Sequence, residues 1–168
     1  MNSKISIPNE FNVEASFASM ADYDAIVQIF KQHRDVFPHV RTDYIRRMIQ
    51  KRRCFFRNGV VITFVVYSRR NKIGNITAHK GSICIKQIAA QNPGNGNTAT
   101  ELNNFLRIRQ LHCFLSVRAD NDRAIRFYNK TGFRPVGKIQ WNSKTAPNGK
   151  LDGIVFEKPI IAECTFDS

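Results

Sequence analysis

The sequence predicts an α/β protein built on a mixed sheet, and three observations carry that reading. In the second half, runs with helical spacing alternate with β-rich runs, and strand-helix-strand units of this kind bring strands into parallel pairing. The stretch "CFFRNGVVITFVVYSRR", residues 54–70, sets Asn58-Gly59 between β-rich flanks. Two positive-φ positions at that point make a tight hairpin, so antiparallel pairing is required as well. The chain of 168 residues fits one domain, 1–168, long enough to bury roughly two thirds of its unfolded surface without staples. The expected order is β-α-α-β-β-β-α-β-α-β-β.

Residues 11–19, "FNVEASFAS", alternate as a first strand, and "MADYDAIVQIFKQH" follows with Ile26, Ile29 and Phe30 at helical spacing behind acidic residues suited to a first turn. "TDYIRRMIQKRR" repeats the pattern with Ile45, Met48 and Ile49 on one face and Arg46, Arg47, Lys51, Arg52 and Arg53 on the others, so it buries an apolar stripe and shows a cationic one. After the hairpin, "NKIGNITAHKG" reads as an irregular link, "SICIKQIAA" as a strand, "NTATELNNFLRIRQ" as a helix with Ala99, Leu102, Phe105 and Leu106 inward, and "LHCFLSV" as a strand. "NDRAIRFYNK" is a further helix, capped by Asp120 or Asn121 and closed by Gly132. "FRPVGKIQW" and "GKLDGIVFEK" end the chain as strands around a loop with Pro147, Asn148 and Gly149.

Charge narrows the partners. The formal net charge is +13, six of the thirteen acids lie in residues 1–43, and Glu101 is the sole acid from Tyr44 to Ala119, a span with fourteen Lys and Arg residues. A field so one-sided attracts polyanions, which points to nucleic acid; a membrane surface would need a basic segment that also has a long apolar face, and there is none. The alternative is a plain solvated basic surface. Cys54, Cys84, Cys113 and Cys164 form no CxxC pair, and the first three sit in apolar runs, so they read as buried free thiols of a reducing compartment, with no disulfide frame and no metal site. No apolar run approaches a membrane span, and "MNSKISIPNEF" lacks the apolar stretch of a signal peptide; a cytoplasmic protein is expected.

The stretch "QNPGNG", Gln91 to Gly96, joins a strand to a helix. The first amides of a helix have no partner inside it and carry a partial positive charge, and glycine removes the side chains that would keep an anion away. Such a loop is either an anion cradle or only a turn.

Two segments together carry a family resemblance. "QNPGNG" fits a Q/R-x-x-G-x-G/A loop, and "VRADNDRAIRFYNKTGF", Val117 to Phe133, fits an N-x-x-A-x-x-F-Y-x-x-x-G-F signature. At this separation and in this order of elements the chain resembles the GCN5-related N-acetyltransferase (GNAT) family, over roughly its central third. The resemblance implies a GNAT-like acyltransferase fold and acetyl-CoA, or another acyl-CoA, as the acyl donor. It implies that the amides and side chains of Gln91, Asn92, Gly94, Asn95, Gly96, Asn97 and Thr98 hold the pyrophosphate, and that the backbone of Ile88 and Ala90 pairs with the pantetheine arm in a gap between strands. A backbone amide at a strand bulge would stabilise the developing oxyanion. Tyr128 falls on the general acid that protonates the departing thiolate, a role open to a phenol; Asn121 either ties the cofactor arm or caps its helix. Tyr128 and Phe127 are otherwise core aromatics.

Three departures from the family pattern matter, and the last bears on the acceptor. Gln91 stands where arginine is more frequent, and Asn95 where an apolar residue is. The glutamate base that many members carry on the central strands is also absent, which leaves water, His79 or His112 to take the proton, or an acceptor that is neutral at pH 7, such as the exocyclic amine of a nucleobase. The expected acceptor therefore lies on DNA or transfer RNA, with Arg46, Arg47, Lys51, Arg69 and Arg70 on its phosphates and Trp141, Phe56 or Tyr67 stacking on an extruded base. The short basic make-up also resembles phage-encoded Mom-type DNA-modification proteins, by charge alone. The alternatives are a small-molecule or protein amine as acceptor, or a non-catalytic nucleic-acid binder. Monomer and homodimer are both open.

Overall fold

The computed structural model describes residues 16–109 and 112–159. Its frame is a six-stranded sheet of order β1-β2-β5-β6-β8-β7, with a separate two-stranded sheet, β3-β4. In chain order these are α1 (Tyr23–Gln32), α2 (Thr42–Gln50), β1 (Cys54–Arg57), β2 (Val60–Val66), β3 (Asn71–Ile73), β4 (Ile76–Ala78), β5 (Ile83–Ala90), α3 (Asn97–Arg109), β6 (Cys113–Arg118), α4 (Asp122–Lys130), β7 (Arg134–Asn142) and β8 (Lys150–Lys158). The sheet is mixed: β5 and β6 are parallel, and every other neighbouring pair is antiparallel.

The β1-β2 hairpin turns as expected, with Asn58 at φ +49 and Gly59 at φ +72, the two left-handed positions of a tight turn. Of the expected first strand, residues 11–15 lie outside the described residues; Phe17 makes an antiparallel bridge to Phe55. The expected 20–33 helix begins as one 3-10 turn, Met20–Asp22, in which the Asp22 carboxylate accepts from the Ser19 N–H at 2.9 Å.

The stretch 71–81, read above as an irregular link, is instead the β3-β4 hairpin. Gly74, at φ +59, takes the first turn position, and the Asn75 side chain and backbone tie the turn to Lys138 of β7 at 2.8 and 3.0 Å. Gly-Asn is a turn signal in its own right, but strands of three residues hold only when packed on another surface.

The sheet has two covered faces. On one, α3 and α4 bury Phe55, Phe64, Ile83, Leu102, Phe105 and Phe156, with Phe105 set against the Phe55 and Phe64 rings at 5.6 and 4.9 Å. On the other, α1 and α2 press Ile26, Phe30, Ile45 and Ile49 onto Cys54, Val61 and Ala89, while the β3-β4 hairpin covers Cys84, Phe114 and Val155. Cys54, Cys84 and Cys113 are free and buried, as their apolar setting predicts; burial pushes the Cys54 thiol up to about 12. Among the described residues no helix is long and apolar enough to cross a membrane.

A Cβ at position 74 would run into the Lys138 carbonyl in a backbone conformation that side chains rarely adopt. Gly74→Ala should therefore cost about 1–3 kcal/mol, read from denaturant midpoints.

Candidate functional site

The site is set by where β5 and β6 part. They pair only at Ile83 with Cys113 and Cys84 with Phe114. Beyond that point β5 stays on β2, β6 stays on β8, and the edges between them open into a gap. On β2, Thr63 and Phe64 face Gln87 and Ile85, so Lys86 is an extra residue, a β-bulge two positions past the apex of the gap. The Gln91 N–H donates to Gly59 O at 2.8 Å on the β2 side. By strand alternation the N–H and C=O of Ala90 and Ile88 therefore face the gap. One of these groups is occupied, since His33 Nε2, at the end of α1, donates to the Ala90 carbonyl at 2.7 Å.

At the mouth of the gap lies the glycine loop. Gly94 and Gly96 take φ +90 and +80, and a Cβ at either would meet open space, so the backbone there is open to a ligand. The loop's side chains turn inward: Asn95 Oδ1 accepts from the Asn97 N–H at 2.9 Å, and Asn97 Nδ2 donates to the Asn58 carbonyl in the β1-β2 turn. The N–H groups of Gly94, Asn95, Gly96 and Thr98 have no partner among the described residues. Gln91 is exposed and lies beside Gly59, and Asn92 is exposed in the turn.

Glu101, which the sequence singles out only by its charge, holds this arrangement from beneath. It is 1% exposed, accepts from Asn58 Nδ2 at 3.0 Å and Asn104 Nδ2 at 3.4 Å, and pairs with Arg57 Nε at 3.6 Å. Its isolation as the only acid across 44–119 was the available signal.

Tyr128 lies at the apex. Its ring is half-buried against Phe127, Phe133 and Phe156 at 5.2, 5.6 and 6.2 Å, and its hydroxyl is the enclosed end: burial, then the nearby Cys113 thiol, pushes the phenol well above its ordinary value. It is a proton donor throughout the physiological range. Asn121 caps α4, its Oδ1 accepting from the Ala124 N–H at 3.1 Å.

On the opposite face, behind the apex, is a cavity of about 240 Å³ lined by Tyr67, Lys72, Cys84, Lys86, Ser116 and Trp141 among others. No carboxylate and no histidine lines it. His112 stacks on Phe114 at 4.8 Å and bonds Glu157 at 3.0 Å, with His79 next to it, so neither candidate base faces the cavity. Phe56 belongs to the α1-α2 cluster and is not part of the cavity lining. Arg46 and Arg47 are exposed on α2 and Lys51 just past its end, with the Arg46 guanidinium over the Tyr23 ring, and Arg69 and Arg70 are exposed ahead of β3. Both groups ride on elements that cover the cavity's face. No cluster of three metal-ligating side chains occurs among the described residues.

Solved structures match this architecture. The ribosomal-protein-S18-alanine N-acetyltransferase of Escherichia coli superposes with a TM-score of 0.63 at 19% identity, over 89% of this chain and 96% of that one. The fold is that of the GNAT acetyltransferases. An acetyltransferase of the GNAT family from Bacillus cereus gives 0.57 at 19%, over 87% and 96% of the two chains. NAA60 of Arabidopsis thaliana in complex with acetyl-CoA gives 0.60 at 16%, over 86% and 97%. At these identities the likeness is one of fold. No protein-family model matches the sequence, and no curated protein matches it.

Glu101→Ala strands Asn58 and Asn104 without their acceptor. A loss of about 1–3 kcal/mol is expected in chemical denaturation, together with faster amide exchange in the β1-β2 turn and at 94–98.

Proposed function

We propose that the chain is an acyl-CoA-dependent N-acyltransferase, using acetyl-CoA or another acyl-CoA, and that its acceptor amine belongs to a nucleic acid. The observation that carries the reading is one line of groups: partnerless amides at the mouth of a gap in the sheet, unpaired strand edges along it, and a buried phenol at its apex.

The residues suit the donor. Gly94, Asn95, Gly96 and Thr98 offer four N–H groups at a helix start, where a pyrophosphate gains both hydrogen bonds and the helix's positive end. Ile88 offers its backbone to the arm's amides, and Ala90 its N–H, the carbonyl being held by His33. Bound acyl-CoA supplies an activated thioester carbonyl. The acceptor nitrogen forms a bond to that carbonyl carbon as the carbon-sulfur bond breaks. Tyr128 gives its hydroxyl proton to the departing sulfur, and the phenolate left behind, a strong base in its buried setting, takes the proton that the new amide sheds. The bulge at Lys86 sets a backbone amide near the apex for the oxyanion. Much of the rate comes from holding the two reactants in line.

The nucleic-acid acceptor is supported by a net charge of +13, by the cations of α2 and of the β2-β3 link on the cavity's face, and by a cavity with no group to deprotonate an ammonium. DNA bases and transfer RNA share that chemistry. The second reading is a protein amine, which the structural neighbour named for a ribosomal-protein alanine takes. Mass shifts after incubation with acetyl-CoA and separate pools of duplex DNA, single-stranded DNA, transfer RNA and peptides decide between them; a shift in the peptide pool alone sinks the first.

Tyr128→Phe should lower kcat about 10²–10⁴-fold while calorimetric affinity for CoA is unchanged. Undiminished turnover removes Tyr128 from the chemistry, and no turnover in either protein supports a binder. With a duplex acceptor, log affinity should fall against log salt with a slope of about −0.9 for each phosphate neutralised. Charge reversal at Arg46, Arg47 and Lys51 should flatten that slope; a salt-independent KM would point to a small neutral amine.

A further inference from the structure

We infer that the cavity of about 240 Å³ behind the strand gap is the seat of a single unpaired nucleobase, with Trp141 and Tyr67 as its stacking surface and Lys72 and Lys86 on the flanking phosphates. The inference rests on the nucleic-acid reading of the acceptor and names where one base sits.

Four observations converge. Two of the lining residues, Cys84 and Ser116, come from the two strands that part, so a base seated here lies beside the apex, with Tyr128 on the other face. Trp141 is held in place: it lies over Gly153 of β8, where any Cβ would run into the indole's six-membered ring. A strand glycine beneath an aromatic is a means of laying that ring against the backbone, which leaves the rest of its surface for the cavity. Lys72 and Lys86 are exposed on the cavity's rim, one from β3 and the other from the bulge, and no lining carboxylate offsets them. They repel a protonated amine and attract phosphate, whereas a nucleobase amine is neutral. Asn71 and Ser116 supply polar edges for the base.

Size sets the form of the ligand. Cavities for drug-sized ligands run about 300–1,000 Å³, and this one is smaller, so it accommodates one ring system and excludes a stacked duplex. A base reaches it only from a single strand or by leaving its stack.

Trp141 is the only tryptophan, so its fluorescence reports on this cavity alone. The full-length protein is titrated, without acyl-CoA, with a short single-stranded oligonucleotide and with a counterpart of the same length carrying abasic central residues. The base-bearing strand should quench Trp141 and bind about tenfold more tightly than the abasic one, in line with stacking of one base. Trp141→Ala, followed by anisotropy of labelled strands, should bring the two to equal affinity, and Trp141→Phe should restore part of the difference. Lys72→Glu with Lys86→Glu should weaken both strands alike. Equal affinity of the wild-type protein for base-bearing and abasic strands, or unquenched Trp141 at saturation, overturns the inference whether or not the alanine variant folds. Calorimetry with CoA on the same preparation separates the two ideas. Base preference without CoA binding sinks the acyltransferase and keeps the base seat; CoA binding with no base preference does the reverse.

Discussion

Parallel strands normally share hydrogen bonds along their whole overlap, yet β5 and β6 share two residue pairs and then separate. The outer edge of each stays satisfied, β5 on β2 and β6 on β8, so the strands remain ordered while their inner edges face a gap. Backbone N–H and C=O groups left in a partly buried slot need partners. His33 already answers one such need at the Ala90 carbonyl. What remains is a slot suited to a narrow chain bearing amide groups, with the partnerless N–H groups of the glycine loop at its open end. The site's capacity follows from this parting more than from any one side chain.

The slot divides labour between the faces of the sheet. On the α3-α4 face, the glycine loop and Tyr128 act at opposite ends of the gap, one presenting N–H groups to solvent and the other enclosing a hydroxyl. The loop is braced by Asn97 on the Asn58 carbonyl and by Glu101 on the Asn58 side chain. A carboxylate 1% exposed and held by several donors is a rigid support, since loss of any partner leaves buried polarity unpaired. On the other face, residues of the β2-β3 link, β3, β5, β6 and β7 enclose a cationic, aromatic cavity beside the same apex. On the proposed reading, donor and acceptor approach from opposite sides, and neither blocks the other.

Features legible in the sequence share one property: each is written in residues that stand close together. Asn58-Gly59 demands a tight turn by φ alone, Asn121 caps the helix three residues ahead of its partner amide, and Gly94 and Gly96 mark the entry to α3. Tyr128 stood out through the short signature, Asn121 to Phe133, that carries the family resemblance. The β3-β4 hairpin was missed because its three-residue strands carry little pattern, and its order comes from Asn75 gripping Lys138, sixty-three residues away. The bracing role of Glu101 was not legible, because an acid beside Leu102 shows no partner until the fold brings Asn58 and Arg57 to it.

Local rules thus determined, from the sequence alone, the mixed sheet, the hairpin, the helix starts and the excess of positive charge, because turn conformation, capping and periodicity act over a few residues. Tertiary structure alone decided where β5 leaves β6, that Asn95 and Asn97 turn inward and leave the outer side of the glycine loop to backbone amides, and that Tyr67, Lys86 and Trp141 meet in one cavity. These depend on the register between strands distant in sequence and on the space left by packed neighbours, quantities that no short stretch of residues contains.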